Sequence, residues 1–148
     1  MRRELGLLRT DGARADLAPA SVGLGAVPGL VAGIRDAGAH VELDIDADGA
    51  PVPDDVGAAT FRIVQEALTN VVRHAGTEAR ARVHVARRGD ALEIEVVDDR
   101  FHAPRFPSPG NGMTGMRERA LALGGAFAAD ARPQGGFRVW ARLPARPS

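Results

Sequence analysis

Hydrophobic and polar residues along this chain follow two different spacings, which divide it into predicted helices and strands. From Ala26 to Ala37 the apolar residues recur every three to four positions, as in an amphipathic helix, and Gly38 ends the pattern. Apolar and polar residues alternate from His40 to Ala47 and again from Ala79 to Arg87, which predicts two half-buried strands. The same alternation predicts further strands around Leu92, Ile94 and Val96, from Ala126 to Asp130 and from Phe137 to Leu143.

The longest helical pattern has Asp54 and Asp55 in its first turn and ends at Gly76. Its second half is the most informative stretch of the chain, because its two faces differ in chemistry. One face suits packing on a sheet, whereas the other suits a metal ion with phosphate nearby or, alternatively, is an ordinary solvated face. The apolar face comprises Phe61, Val64, Leu68, Val71 and Val72, and the polar face comprises Arg62, Glu66, Thr69, Asn70 and Arg73, with His74 at its edge.

A proline-rich, aperiodic stretch from Asp98 to Asn111 predicts a loop, and a helix is predicted from Thr114 to Leu123. The segment Gly110–Gly115 (GNGMTG) joins the two. It matches a dinucleotide-binding fingerprint only formally, because it follows a loop and not a strand. Its glycines and the helix N-terminus behind it favour phosphate binding, and a flexible hinge is the alternative.

The order of predicted elements is helix, strand, helix, hairpin, loop, helix, hairpin. It lacks the repeated strand–helix alternation of a doubly wound parallel fold. We therefore expect an α/β fold of the α+β two-layer type, a mixed sheet with its helices on one face.

Composition excludes several classes of function. The 148 residues carry 19 Lys+Arg and 19 Asp+Glu, and this balance disfavours a nucleic-acid binder. The absence of cysteine excludes disulfides and cysteine-ligated metals. No apolar run reaches membrane-spanning length and no signal peptide is visible, so we expect a cytoplasmic protein or the cytoplasmic fragment of a membrane-anchored one.

Two long motifs resemble those of one protein family. The segment Gln65–His74 (QEALTNVVRH) resembles the N-box of sensor histidine kinases, and Gly112–Ala120 (GMTGMRERA) is similar to their second glycine box. Within the family they resemble the nitrate-sensor and desaturase-regulator subfamily. The resemblance implies the Bergerat-type ATP-binding fold of the GHKL superfamily. It also implies that residues 1–25 are a remnant of the dimerisation helix with its linker and that residues 26–148 form the catalytic domain.

The same resemblance implies ATP and Mg²⁺ as cofactors and assigns roles to individual residues. It implies that Asn70 holds Mg²⁺ against the nucleotide phosphates and that Glu66 acts as a base or polarising group. Asp98 matches the carboxylate that accepts a hydrogen bond from the adenine amino group. The remaining nucleotide-binding residues implied by the match are Arg73, His74, Gly110, Gly112, Thr114 and Gly115.

The chain departs from the family at the first glycine box, where Arg100 and His102 replace two glycines. Side chains at these positions would occupy space near adenine or ribose, so a degenerate interaction module without catalysis is a second hypothesis. An anti-sigma-type serine kinase is a third. In the family the phosphorylated histidine lies upstream of everything present here, so we expect the acceptor outside this chain. The implied partners are a dimerisation domain carrying that histidine and a response regulator.

Overall fold

The computed structural model describes residues 23–47, 51–75, 80–99, 111–133 and 135–145. A short 3₁₀ turn, Leu24–Ala26, leads into the first helix. In chain order the elements are α1 (Val27–Asp36), β1 (His40–Asp46), α2 (Asp54–Ala75), β2 (Arg80–Arg88), β3 (Ala91–Asp98), α3 (Asn111–Ala122), β4 (Ala126–Ala131) and β5 (Phe137–Pro144). The predicted order of elements is confirmed.

The five strands form one mixed sheet in the spatial order β1-β2-β3-β5-β4. β1 and β2 are parallel, and α2 connects them. The other neighbouring strands are antiparallel. Residues Gly89 and Asp90 join β2 to β3, and Gly89 has a φ of 63°, a backbone conformation that glycine adopts without strain. The predicted α/β fold with a mixed sheet is therefore confirmed.

The hydrophobic core lies between the helices and one face of the sheet. Ile63, Val64 and Leu68 of α2 are fully buried, because their helical spacing places them on the side that faces the strands. Met116 and Ala120 continue the same layer from α3. The sheet contributes alternate residues, chiefly Val83, Val85, Leu92, Ile94, Val96, Val139, Ala141 and Leu143.

The outer face of the sheet carries rows of opposite charge. Between β2 and β3, Arg88 pairs with Glu93, with 3.7 Å between nitrogen and oxygen. The register places Val97 opposite Arg82, so Arg82 does not face a glutamate of β3. Other ion pairs on this face join neighbouring strands and include Arg82–Glu42 (3.6 Å), His84–Asp44 (2.9 Å) and Arg138–Glu95.

The third helix begins earlier than the sequence suggested. α3 starts at Asn111, three residues before the predicted Thr114. Gly112 therefore belongs to its first turn and not to a loop ahead of it. The predicted linker at residues 10–25 and the predicted loop at 98–111 lie for the most part outside the described residues. Within the described ranges, no helix has both the length and the apolar character needed to cross a bilayer.

Candidate functional site

Three polar side chains lie along one face of α2. Glu66, Asn70 and Arg73 are four and then three residues apart, so they occupy neighbouring turns of the helix. The Arg73 guanidinium donates a hydrogen bond of 3.4 Å from Nη1 to Oδ1 of Asn70. Glu66 and Asn70 are half-buried and Arg73 is exposed. The helix thus brings a carboxylate, an amide oxygen and a guanidinium together, as the sequence predicted.

Asp98 lies at the end of β3, and only 1% of its surface is accessible. By strand alternation it shares the face of Ile94 and Val96, which is the face covered by helices. Because α2 packs against β3, the buried carboxylate lies on the sheet face that α2 covers. Withdrawing a carboxylate from water costs free energy, and binding sites are where proteins commonly accept that cost.

Residues distant in sequence hold the backbone around Asp98. The amide of Asp99 donates a hydrogen bond of 3.1 Å to the carbonyl oxygen of Arg80. Arg132, in the turn between β4 and β5, forms an ion pair of 3.1 Å with Asp99. Gly136 of the same turn lies so close that an added Cβ would overlap the carbonyl oxygen of Asp98. Our sequence analysis missed these neighbours, and only the register of β3 against β5 reveals them.

The glycine-rich segment, residues 110–115, lies only partly within the described residues. Gly112 lies in the first turn of α3, where the first backbone N–H groups lack partners within the helix. Thr114 is exposed, and nothing lies within 4 Å of a Cβ built on Gly115. α3 packs against α2, so its first turns belong to the same helical layer as Asn70. Gly110 and the side chain of His74 lie outside the described residues, as do Arg100 and His102.

A dedicated metal cage is absent from the part of the chain that the structure describes, where no three His, Cys, Asp or Glu side chains converge. This donor set does not argue against magnesium, because proteins often bind Mg²⁺ through one or two side-chain oxygens together with substrate phosphates. The half-buried amide oxygen of Asn70 fits that mode. Its hydrogen bond from Arg73 occupies one lone pair of the oxygen and leaves the second for a metal ion.

A cleft of about 490 Å³ opens at the same end of the sheet as Asp98. Its lining includes Arg35, Arg80, Arg82 and Asp99. Among the described residues it contains none of the predicted site residues, although Asp99 directly follows Asp98. The geometry of the cleft alone would therefore have missed the polar face of α2.

Comparison with known proteins relates this arrangement to one family. Residues 55–147 match the model of the histidine kinase-, DNA gyrase B-, and HSP90-like ATPases. The chain is 34% identical over 125 residues to the sensor histidine kinase YxjM of Bacillus subtilis, covering 83% of this chain and 30% of the relative. It is 32% identical over 96 residues to the sensor protein VraS of Staphylococcus aureus, covering 63% of this chain and 27% of the relative. The chain thus spans less than a third of either relative.

Solved structures show the same fold. The blue-light activated histidine kinase of Erythrobacter litoralis superposes with a TM-score of 0.65 at 22% identity, covering 83% of this chain and 42% of that one. The mycobacterial sensor histidine kinase MprB superposes with a TM-score of 0.57 at 18% identity, covering 84% and 96%. At these identities the likeness concerns the fold alone.

Proposed function

The chain belongs to the histidine kinase-, DNA gyrase B-, and HSP90-like ATPase family, and on that premise we propose that it supplies the γ-phosphoryl group of Mg-ATP to a histidine outside the chain. Homology to sensor histidine kinases identifies it as an ATP-binding catalytic domain of this type. The magnesium ion, the acceptor and the roles of individual residues are part of the proposal.

The buried carboxylate of Asp98, on the sheet face that the helices cover, is the observation that carries this proposal. A carboxylate is an acceptor only, so it suits the exocyclic amino group of adenine and disfavours the carbonyl that guanine presents at the equivalent position. Burial strengthens the preference for adenine. A polar group of the wrong base would lose its hydrogen bonds to water without gaining one to Asp98, and that loss costs binding free energy. Asp98 would therefore provide the base-specific contact.

The polar face of α2 would bind the phosphates. Asn70 offers a neutral oxygen to Mg²⁺, and Arg73 one turn later offers donors to phosphate oxygens. Bound magnesium would neutralise charge on the phosphates during transfer. Glu66, one turn before Asn70, would polarise or accept a proton from the attacking group. His74, Gly110, Gly112, Thr114 and Gly115 remain proposed phosphate- or lid-contacting residues.

The acceptor is proposed to be a histidine of another segment or chain. His84 lies on the outer face of the sheet and contacts Asp44 at 2.9 Å, on the side away from α2. His40 shares that outer face at the start of β1. Both side chains are separated from the proposed nucleotide layer by the sheet. The proposed partners are accordingly a dimerisation domain that carries the acceptor and a response regulator.

Organisation and location complete the proposal. We propose that residues 26–148 form the catalytic domain and that it belongs to the nitrate-sensor and desaturase-regulator subfamily. The protein, or the kinase of which this chain is a part, would place the domain in the cytoplasm, where ATP is abundant.

Calorimetric titration of ATP with Mg²⁺ tests the proposal. We expect a dissociation constant in the micromolar to sub-millimolar range, about −8 to −5 kcal/mol. Asn70→Ala and Asp98→Ala should each weaken binding. Arg142→Ala serves as a matched control, because this exposed arginine lies on the outer face of the sheet. The absence of binding at millimolar ATP, with folded protein, would leave the non-catalytic interaction module as the better hypothesis.

A further inference from the structure

The end of β3 directly precedes the segment whose sequence departs from the first glycine box expected from the family resemblance, and it is also where the turn between β4 and β5 packs. That turn comprises residues 132–136. Gly136, with a φ of 96°, lies against the carbonyl group of Asp98 and the Cα of Asp99. The turn itself is closed by a hydrogen bond of 2.9 Å from the Arg132 amide to the Gly136 carbonyl oxygen. The backbone on both sides of the contact is therefore fixed.

One side-chain interaction joins the turn to the strand end. Nη1 of Arg132 lies 3.1 Å from Oδ1 of Asp99, across 33 residues of sequence. The Arg132 side chain is only 21% exposed, whereas that of Asp99 is 51% exposed. The arginine is thus held by its surroundings, and the aspartate is the partner that would otherwise move in solvent.

Asp99 is in turn coupled to Asp98 by the backbone. Its amide donates to the carbonyl oxygen of Arg80, which extends the pairing of β2 and β3 one residue beyond the end of the strand. If the Asp99 side chain is released, this last hydrogen bond is the first to fray, because terminal strand pairs open at low cost. Fraying there changes the direction of the neighbouring Asp98 carboxylate.

We propose that Arg132 is a positioning residue that, through its ion pair with Asp99, holds the Asp98 carboxylate in the orientation needed to select adenine. This inference rests on the proposed function, in which Asp98 contacts the base. In this proposal the β4–β5 turn helps to hold the end of β3 in place, next to the altered glycine box. It adds to the site a residue that touches neither the base nor the phosphates.

Arg132→Gln tests the proposal against a matched control, Arg138→Gln. Arg138 lies just after this turn, in β5, and pairs with Glu95 of β3 on the outer face of the sheet. Each substitution removes one partly exposed ion pair, so the two should change stability similarly. We expect Arg132→Gln to weaken ATP binding about fivefold, which corresponds to the largest free energy usual for a partly exposed ion pair. We also expect it to reduce the preference for ATP over GTP. Arg138→Gln should change neither.

A charge exchange separates positioning from general structural damage. Arg132→Glu alone places like charges together and should weaken ATP binding more than Arg132→Gln does. Combining Arg132→Glu with Asp99→Arg restores the attraction and should recover ATP affinity and the preference over GTP. Failure of this double variant to recover either quantity, in a protein that unfolds at the temperature of the wild type, would overturn the proposal.

A measurement without nucleotide keeps this inference distinct from the proposed function. Hydrogen exchange of the Asp99 amide reports the fraying of its bond to Arg80. We expect this exchange to be about fivefold faster in Arg132→Gln than in Arg138→Gln. The factor is the same as that expected for ATP binding, because both follow from the loss of the same ion pair. Equal exchange rates in the two variants would refute the positioning role, whereas failure of the wild type to bind ATP would refute the proposed function.

Discussion

Gly136→Ala adds one methyl group at the point where the β4–β5 turn meets the buried Asp98. The neighbouring Gly135 provides a matched control within the same turn. Both glycines have positive φ angles, 101° at Gly135 and 96° at Gly136. They differ in their surroundings, because a Cβ on Gly135 has nothing within 4 Å, whereas one on Gly136 overlaps the carbonyl oxygen of Asp98.

The expected magnitudes follow from that difference. An alanine forced into the positive-φ region costs about 1–2 kcal/mol, and both variants carry this cost. Gly136→Ala also has to separate two strand ends that are in contact, and inserting a methyl group into a packed site costs a further 1–3 kcal/mol or so. We therefore expect Gly136→Ala to lower the free energy of unfolding by about 2 kcal/mol more than Gly135→Ala does.

Urea denaturation measures this difference directly. With a slope of about 1–3 kcal/mol per molar urea, the midpoint of Gly136→Ala should lie about 1 M below that of Gly135→Ala. ATP titration should show a second difference, because only Gly136→Ala displaces the backbone of Asp98. Equal midpoints and equal ATP affinities in the two variants would show that the contact between Gly136 and Asp98 does not have the energetic role assigned to it.

Three further predictions concern the core, the outer face and the nucleotide site. Leu68→Ala should cost about 3 kcal/mol of unfolding free energy, because Leu68 is fully buried, whereas Leu121→Ala, at a residue 55% exposed, should change it by less than about 0.5 kcal/mol. Equal urea midpoints for the two would contradict this. Arg138→Gln should cost less than about 1 kcal/mol, and thermal unfolding should show the loss shrinking at high salt. Asn70→Ala should abolish the magnesium dependence of ATP binding, and a retained dependence would exclude Asn70 as the ligand.

Much of the fold could be predicted from the sequence, because buried residues recur at the spacing of the helix or strand that they belong to. The apolar residues of α2 recur with the helical period, and those of β3 and β5 recur with a period of two. The identity of the strand that pairs with β1 could not be predicted, since alternation reports which face is buried but not which strand lies alongside. The ion pair between Arg82 and Glu42 depends on that pairing, so alternation alone could not predict it either.

The sequence predicted the α2 part of the candidate site better than the part around Asp98. Glu66, Asn70 and Arg73 lie within eight residues of one helix, so their proximity follows from helical geometry alone. Asp98 was proposed as a site residue from its match to the family motif, but its neighbours could not be predicted. Arg132 reaches Asp99 across 33 residues, and such a contact depends on strand register, which local sequence does not specify.

The precision of the site depends on the packing of α2. Ile63, Val64 and Leu68 fix the rotation of the helix about its axis, because each is fully enclosed between helix and sheet. Asn70 lies two residues beyond Leu68, so the same rotation sets the direction of its amide. A slip of one residue would turn the amide by about 100° about the helix axis, away from its present half-buried position. The core of this domain therefore sets the direction of the groups proposed to bind nucleotide, and a loss of packing at Leu68 is expected to reduce ATP affinity before it unfolds the chain.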